Sequence, residues 1–121
     1  MNIVNRKQPQ EYFVHGKARE RSLLGPADPA RHICPKPPGL YCMEKLAFFN
    51  WASLPAGGTL ETHVGGSEEI YYILGGQGLF QAGGATAACR EGDAIHVPAG
   101  VQHGLVNNGQ GPIEYLVLGA L

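Results

Sequence analysis

The chain has 121 residues, of which 44% are hydrophobic and 16% are charged, and its formal net charge is −1. This composition predicts one globular domain and argues against a disordered chain, which needs high charge and low hydrophobicity. The charge gives no indication of a nucleic-acid partner, and no stretch approaches the length of about 18 apolar residues that a membrane span needs. We therefore expect neither a nucleic-acid nor a membrane partner.

Cysteine usage and the N-terminal residues indicate the cellular compartment. The three cysteines are odd in number and have no C-x-x-C spacing, so they predict neither a disulfide framework nor a zinc knuckle. The first ten residues lack the apolar segment of a secretory signal. We therefore expect a cytoplasmic protein with reduced thiols.

Glycine and proline, 18 and 9 of 121 residues, indicate a chain that turns often. In residues 1–39 they break up short apolar pieces, which predicts an N-terminal arm of one or two edge strands and a loop. From residue 40 to 54 apolar and aromatic residues predominate, and the glycine- and proline-containing residues 55–58 end this run.

After residue 58, short runs of strand-forming residues alternate with turn residues. The pair Gly83-Gly84 is a two-residue loop of the kind that joins the strands of a hairpin. Because no segment has the length and period of a helix, residues 40–121 are predicted to form an all-β domain, a sandwich or a barrel. The predicted strands are 59–64, 69–74, 78–82, 85–89, 94–97, 102–106 and 113–118.

One motif lies in the segment GDAIHVPAGVQHGLVN. Its residues Gly92, Pro98, Gly100, His103 and Asn107 read G-x5-P-x-G-x2-H-x3-N. A strand that enters from the Gly-Asp turn ends at the proline, and the next turn starts a second strand whose histidine is expected to point inward. The strand–turn–strand context agrees with the motif.

A second motif lies upstream, where Gly57, His63, Glu69 and Gly76 read G-x5-H-x-G-x3-E-x6-G. With 15 residues between them, the two segments resemble the two signature motifs of the cupin superfamily, over residues 57–107. The resemblance implies a small single-domain cupin, a double-stranded β-helix or jelly-roll barrel with a site inside it.

The resemblance also implies a metal site. His63, Glu69 and His103 match three of the family's metal ligands, whereas the second histidine of its first motif falls on Gly65. Two imidazoles and a carboxylate are a sufficient set for Fe(II), and zinc, manganese and nickel are also compatible. We therefore expect a divalent transition metal as the cofactor, and we expect Gly65→His to rebuild the four-ligand set.

Two further residues are candidates for acid/base chemistry. Side chains two apart on a strand share a face, so Glu61 is expected to point the same way as His63 and to act as a ligand or proton carrier. The alternative is a solvated strand residue. A second register, Glu61-x-His63-x4-Glu68-x6-Gly75, also has cupin-like spacing. His96 is a candidate for a pocket-lining acid or base, the alternative being a structural histidine.

Two functions follow from these features. The first is a metal-dependent enzyme with isomerase, lyase or dioxygenase chemistry on a small organic, possibly anionic molecule, which Arg19, Arg21 or Arg31 would hold. Eight of the nine basic residues precede residue 46. The alternative interpretation of these residues is a basic face that is only solvated and binds nothing. The second is a non-catalytic module with a degenerate metal site that binds a small molecule, a function that Gly65 favours. Because single-domain relatives commonly pair and the N-terminal segment is suited to cover strand edges, we expect a homodimer.

Overall fold

Strands make up almost all of the regular structure in the computed structural model, which describes residues 1–121. The predicted all-β fold is confirmed, and the single helical element is the 3-10 turn Pro29–Arg31. No helix here has the length and apolar character that crossing a membrane requires. The strands are β1 (Glu11–Val14), β2 (Ala18–Pro26), β3 (Leu40–Met43), β4 (Leu46–Leu54), β5 (Thr59–Val64), β6 (Glu69–Gly75), β7 (Gln77–Ala82), β8 (Ala85–Arg90), β9 (Ala94–Val97), β10 (Gln102–Val106) and β11 (Ile113–Ala120).

These strands form two sheets that face each other as a jelly-roll barrel. The large sheet has seven strands in the order β1-β2-β4-β11-β6-β9, with β3 paired in parallel to β2. The small sheet has the order β5-β10-β7-β8. All seven strands predicted after residue 58 are present, each within two residues of its predicted bounds.

The core lies between the two sheets and follows the period of two that strands impose. Along β11, for example, Ile113, Tyr115 and Val117 are buried, whereas Glu114 and Leu116 between them are partly exposed. The small sheet adds Leu60, Phe80 and Leu105 from the opposite side. Burial of these side chains fixes which face of each strand can carry inward-pointing polar groups.

The N-terminal residues form part of the large sheet. β1 lies at its edge, but β2 lies inside it, between β1 and β4. The structure thus differs from the predicted edge position for β2, because backbone pairing with β1 on one side and β4 on the other places this strand inside the sheet. The division of the chain at residue 39 stays a prediction.

Asn107, the last residue of the second motif, holds together the loops at one end of the barrel. Its side chain is buried, and Nδ2 donates to the carbonyl oxygens of Leu54 (3.0 Å) and Gly111 (2.9 Å). Its Oδ1 accepts a hydrogen bond of 3.0 Å from the backbone N–H of Gly109. The amide thereby satisfies three backbone groups of the β4–β5 and β10–β11 connections.

We expect Asn107→Ala to lower the free energy of unfolding by about 2–4 kcal/mol, because three backbone groups would lose their partners. Urea unfolding measures the change. The matched control is Asn108→Ala at the neighbouring exposed position, where a change within about 0.5 kcal/mol is expected. Equal effects of the two substitutions would contradict this role of Asn107.

Candidate metal site

Three side chains that the sequence motifs single out meet inside the barrel. His63 comes from β5, Glu69 from β6 and His103 from β10, so both sheets contribute. One potential ligand atom from each lies within 4.8 Å of those of the other two. The centroids of the two imidazole rings are 4.3 Å apart. The structure therefore brings together the residues that the family resemblance implies as ligands.

The pairing of the strands sets this geometry. His103 lies directly opposite His63 in the antiparallel ladder between β10 and β5. The turn before β10 is joined to the end of β5 by a hydrogen bond of 3.0 Å from the Gly100 N–H to the Gly65 carbonyl. Gly100 has a φ of 77°, a conformation that favours glycine. The glycines of the two motifs therefore help to hold the two histidines in register.

Backbone carbonyls orient both imidazoles. His63 Nδ1 lies 2.9 Å from the carbonyl oxygen of Glu61, and His103 Nδ1 lies 2.9 Å from that of Val101. Because a carbonyl oxygen only accepts, each Nδ1 carries the proton, and each Nε2 keeps a lone pair. This arrangement is typical of histidines that bind a metal through Nε2.

Tyr71 connects the carboxylate to the buried histidine. Its hydroxyl donates to Glu69 Oε1 at 3.4 Å and lies 3.1 Å from His103 Nε2, which itself lies 3.6 Å from Glu69 Oε1. Burial, followed by the negative charge of Glu69, raises the pKa of the Tyr71 hydroxyl well above its usual value. The hydroxyl therefore stays protonated and acts as a donor.

The two histidines differ in their electrostatic surroundings. Burial is the main cause that lowers the pKa of His63, and the nearby His103 contributes to the decrease. Burial also acts to lower the pKa of His103, but the Glu69 carboxylate, 3.6 Å from its Nε2, and the carbonyl of Val101 together raise it above its usual value. Neutral imidazoles are the form that binds a metal.

Gly65 leaves the space that the Glu69 carboxylate occupies. A Cβ atom built at position 65 would collide with Glu69 Oε2. Gly65→His would therefore require the Glu69 carboxylate to shift, and the expectation that it rebuilds a four-ligand set stays a prediction. Two imidazole nitrogens and one carboxylate remain, a donor set that fits a divalent transition metal.

The structure corrects the expected orientation of Glu61. On β5, Leu60 lies opposite Leu105 and His63 lies opposite His103, so β5 has one residue more than β10 between these two pairs. This irregularity turns Leu60 and His63 inward although they are three apart, and it leaves the Glu61 side chain exposed. Glu61 contributes its carbonyl oxygen, which holds His63.

His96 lies on the outer face of the large sheet rather than in the pocket. It is paired with the exposed Ile70, and its Nε2 lies 2.9 Å from Oε1 of Glu68. Both members of this pair are exposed. The second register, which would use Glu68 in place of Glu69, is thus not supported by the geometry.

Sequence reasoning missed that the N-terminal strands supply one wall of the site. A cavity of about 180 Å³ extends from His63 and Glu69 to residues of β1, β2 and β4. His15, in the turn between β1 and β2, stacks on His63 with ring centroids 3.6 Å apart and an angle of 8° between the rings. It is the one non-glycine residue at positive φ, 46°. Its sequence context, beside a glycine between two short strands, indicates only a turn.

A buried carboxyl group was missed as well. Glu20 of β2 is 8% exposed and lines the cavity, and its Oε2 accepts hydrogen bonds from the Tyr12 hydroxyl (3.2 Å) and Asn50 Nδ2 (3.1 Å). Burial raises the pKa of Glu20 to about 7. The period of two along β2 was the available signal, because Ala18, Glu20 and Ser22 share one face.

The arginines expected to hold an anionic group lie elsewhere. Arg19 and Arg21 form ion pairs with Glu11, at 3.7 and 3.5 Å, and Arg31 belongs to the 3-10 turn. None of the three lines the cavity, and neither does any lysine. The basic N-terminal segment therefore places no positive charge in the site.

The chain is similar to proteins of known sequence and structure. It is 33% identical over 75 residues to an oxalate-binding protein of Thermotoga maritima, a match that covers 61% of this chain and 62% of that relative. The match thus spans about three-fifths of the relative's length. A solved structure described as a predicted oxalate decarboxylase from Thermotoga maritima is 26% identical, with a TM-score of 0.78 over 99% of both chains.

A more distant structure shows the same fold. An RmlC-like cupin from Shewanella frigidimarina is 15% identical and has a TM-score of 0.71, over 99% of this chain and 90% of that one. The family model described as the cupin domain matches residues 50–119, more than half of the chain and both motifs. The resemblance inferred from the motifs is confirmed, and the chain belongs to the cupin family.

Proposed function

We propose that this protein binds a divalent transition-metal ion through His63, Glu69 and His103, and a small carboxylate in the adjoining cavity. The observation that carries this proposal is the convergence of three potential ligand atoms from three strands to within 4.8 Å. The oxalate-binding relative and the structure described as a predicted oxalate decarboxylase support a carboxylate as the ligand. When bound, the ion supplies a Lewis acid that offsets the negative charge of such a ligand.

The protein itself contributes a cavity suited to small molecules. Its volume of about 180 Å³ is below the usual range of sites for drug-sized ligands, about 300–1,000 Å³. Val14, Phe48 and Val117 give it apolar walls. Because no lysine or arginine lines it, an anion in this cavity depends on the metal for a compensating charge.

A second candidate function is catalysis on the bound acid, of the isomerase, lyase or dioxygenase type. The observation that favours it is Glu20, a carboxyl group in the same cavity whose pKa is raised to about 7 by burial. A group with a pKa near the working pH is suited to proton transfer. Mass-spectrometric detection of product from candidate acids separates this enzyme from a non-catalytic module.

We expect protein purified without chelator to hold about one equivalent of transition metal. We expect His103→Ala to weaken metal binding more than about 100-fold, because removing a residue that only hydrogen-bonds to a metal ligand already costs about 10–100-fold in affinity. Elemental analysis and competition with a chromophoric chelator measure both quantities. His96→Ala is the matched control, because this histidine is exposed and outside the cluster. Equal affinities of wild type and His103→Ala would refute the metal site. Metal-free protein that still binds small acids would favour the non-catalytic module.

Gly65→Ala is expected to weaken metal binding about tenfold or more, because the added Cβ displaces the carboxylate of Glu69. The same competition assay measures the change. Gly66→Ala is the matched control: a Cβ there meets nothing within 4 Å, and neither glycine has a positive φ. The role assigned to Gly65 is wrong if both variants bind the metal as the wild type does.

We further propose that the protein forms a homodimer, as expected from the sequence. The outer face of β6 exposes Ile70, Tyr72 and Leu74, and contiguous apolar surface of this kind commonly marks an interface. Light scattering at micromolar concentration is expected to give the mass of a dimer, and Tyr72→Glu to shift it toward the monomer. A monomeric wild type would contradict the proposal.

A further inference from the structure

The far end of the cavity contains a buried polar cluster, which we call the Glu20 cluster: Tyr12, Glu20 and Asn50. Its hydrogen bonds run in one direction. The Tyr12 hydroxyl and Asn50 Nδ2 both donate to the same oxygen, Glu20 Oε2, and Asn50 Nδ2 also lies 3.4 Å from the Tyr12 hydroxyl. Burial and the charge of Glu20 raise the pKa of Tyr12, so its hydroxyl remains a donor.

The donor groups of Tyr12 and Asn50 are therefore hydrogen-bonded, whereas one acceptor atom of the cluster, Glu20 Oε1, has no partner. Neither hydrogen bond involves Glu20 Oε1, although Glu20 is more than nine-tenths buried and lines the cavity. No lysine or arginine lines the cavity to pair with this carboxylate. Oε1 is not among the buried polar atoms that lack a partner, so it keeps access to the cavity and is free to accept a hydrogen bond from a bound molecule.

We propose that the Glu20 cluster is a second binding site, which takes a hydroxyl or ammonium group at the end of a small carboxylate remote from His63, Glu69 and His103. This inference rests on the proposed function, because it takes the carboxylate end of the ligand to lie near those three residues. The ligand class is thus a hydroxy- or amino-carboxylic acid, small enough for a cavity of about 180 Å³.

Charge separates this class from dicarboxylates such as oxalate. A second carboxylate at the far end would meet Glu20 with no lysine or arginine to compensate. A hydroxyl or ammonium group instead donates to Glu20 Oε1, and hydrogen bonds to a charged partner are the stronger kind. The end of the cavity near His63, Glu69 and His103 favours a ligand group with oxygen lone pairs. The Glu20 cluster at the other end favours an N–H or O–H group, so one end recognises acceptors and the other recognises donors.

Calorimetric titration of the Zn²⁺-loaded protein at pH 8.5, where Glu20 is ionised, tests the inference. The probes are butyrate, 4-hydroxybutyrate, 4-aminobutyrate and succinate, together with their five- and six-carbon counterparts. At the best-fitting length, the hydroxy and amino acids are expected to bind about tenfold or more tightly than the methyl-terminated acid. The dicarboxylate is expected to bind more weakly than the methyl-terminated acid.

Glu20→Gln is the decisive variant. The amide oxygen can take the place of Oε2 toward Tyr12 and Asn50, and the amide N–H₂ then faces the cavity in place of Oε1. The hydroxy and amino acids are expected to lose their advantage, and the dicarboxylate to gain affinity. The substitution removes a buried charge without a cationic partner, so the variant is expected to fold at least as stably as the wild type. Glu11→Gln is the control, because Glu11 lies on the neighbouring strand outside the cavity. This variant is expected to bind all of the acids with the same affinities as the wild type.

The outcomes distinguish this inference from the proposed function. If Zn²⁺ binds and the acids bind, but dicarboxylates are as tight as hydroxy and amino acids at every length, the inference alone is overturned. The inference alone is also overturned if Glu20→Gln still binds the hydroxy and amino acids more tightly than the methyl-terminated acid and the dicarboxylate. If Zn²⁺ does not bind, or binds but no acid does, the proposed function fails, and the inference fails with it.

Discussion

The ladder between β5 and β10 is the constraint on which the rest of the site depends. It places His63 opposite His103, and the carbonyls of Glu61 and Val101 then fix both rings through Nδ1. The hydrogen bond between Gly100 and Gly65 helps to hold the two motif segments in register. A slip of one residue along either strand would turn one histidine to the outside. Everything else in the cavity is arranged around an imidazole pair that backbone hydrogen bonding has already positioned.

The sequence predicts the parts of the site that depend on local pattern. The strands after residue 58 follow from turn residues and alternation, and the motif spacing identifies His63, Glu69 and His103. The orientation of Glu61 did not follow, because the irregularity in β5 is visible only in its pairing with β10. The placement of Glu20 did not follow either, because it depends on β2 pairing with β4, more than thirty residues away in the chain. Register between distant strands is a tertiary property that no local window contains.

The carboxyl group of Glu20 in the cavity lowers the stability of the folded protein when it ionises. Burial raises the pKa of Glu20 to about 7, so ionisation of this group opposes folding as the pH rises from the unfolded value of about 4.5 toward 7. The folded state is favoured by this group at low pH, and that advantage is lost above neutrality. Within the fold, the carboxyl group accepts the hydrogen bonds of Tyr12 and Asn50, which an apolar side chain in its place would leave without a partner. His15, held at positive φ against His63, is a second instance of local strain beside the site.

The cavity wall formed by β1 and β2 has a consequence for divergence within the family. The residues that meet at the metal site all lie within residues 50–119, the part that matches the cupin domain, whereas Tyr12, His15 and Glu20 precede it. Under the function proposed above, substitutions in the first two strands would therefore alter which molecule is accepted without disturbing His63, Glu69 and His103. Two cupins with the same pair of motifs could then differ in the compound that they recognise, and comparison of their motifs alone would not reveal it. The segment before the motifs is the place to look for specificity.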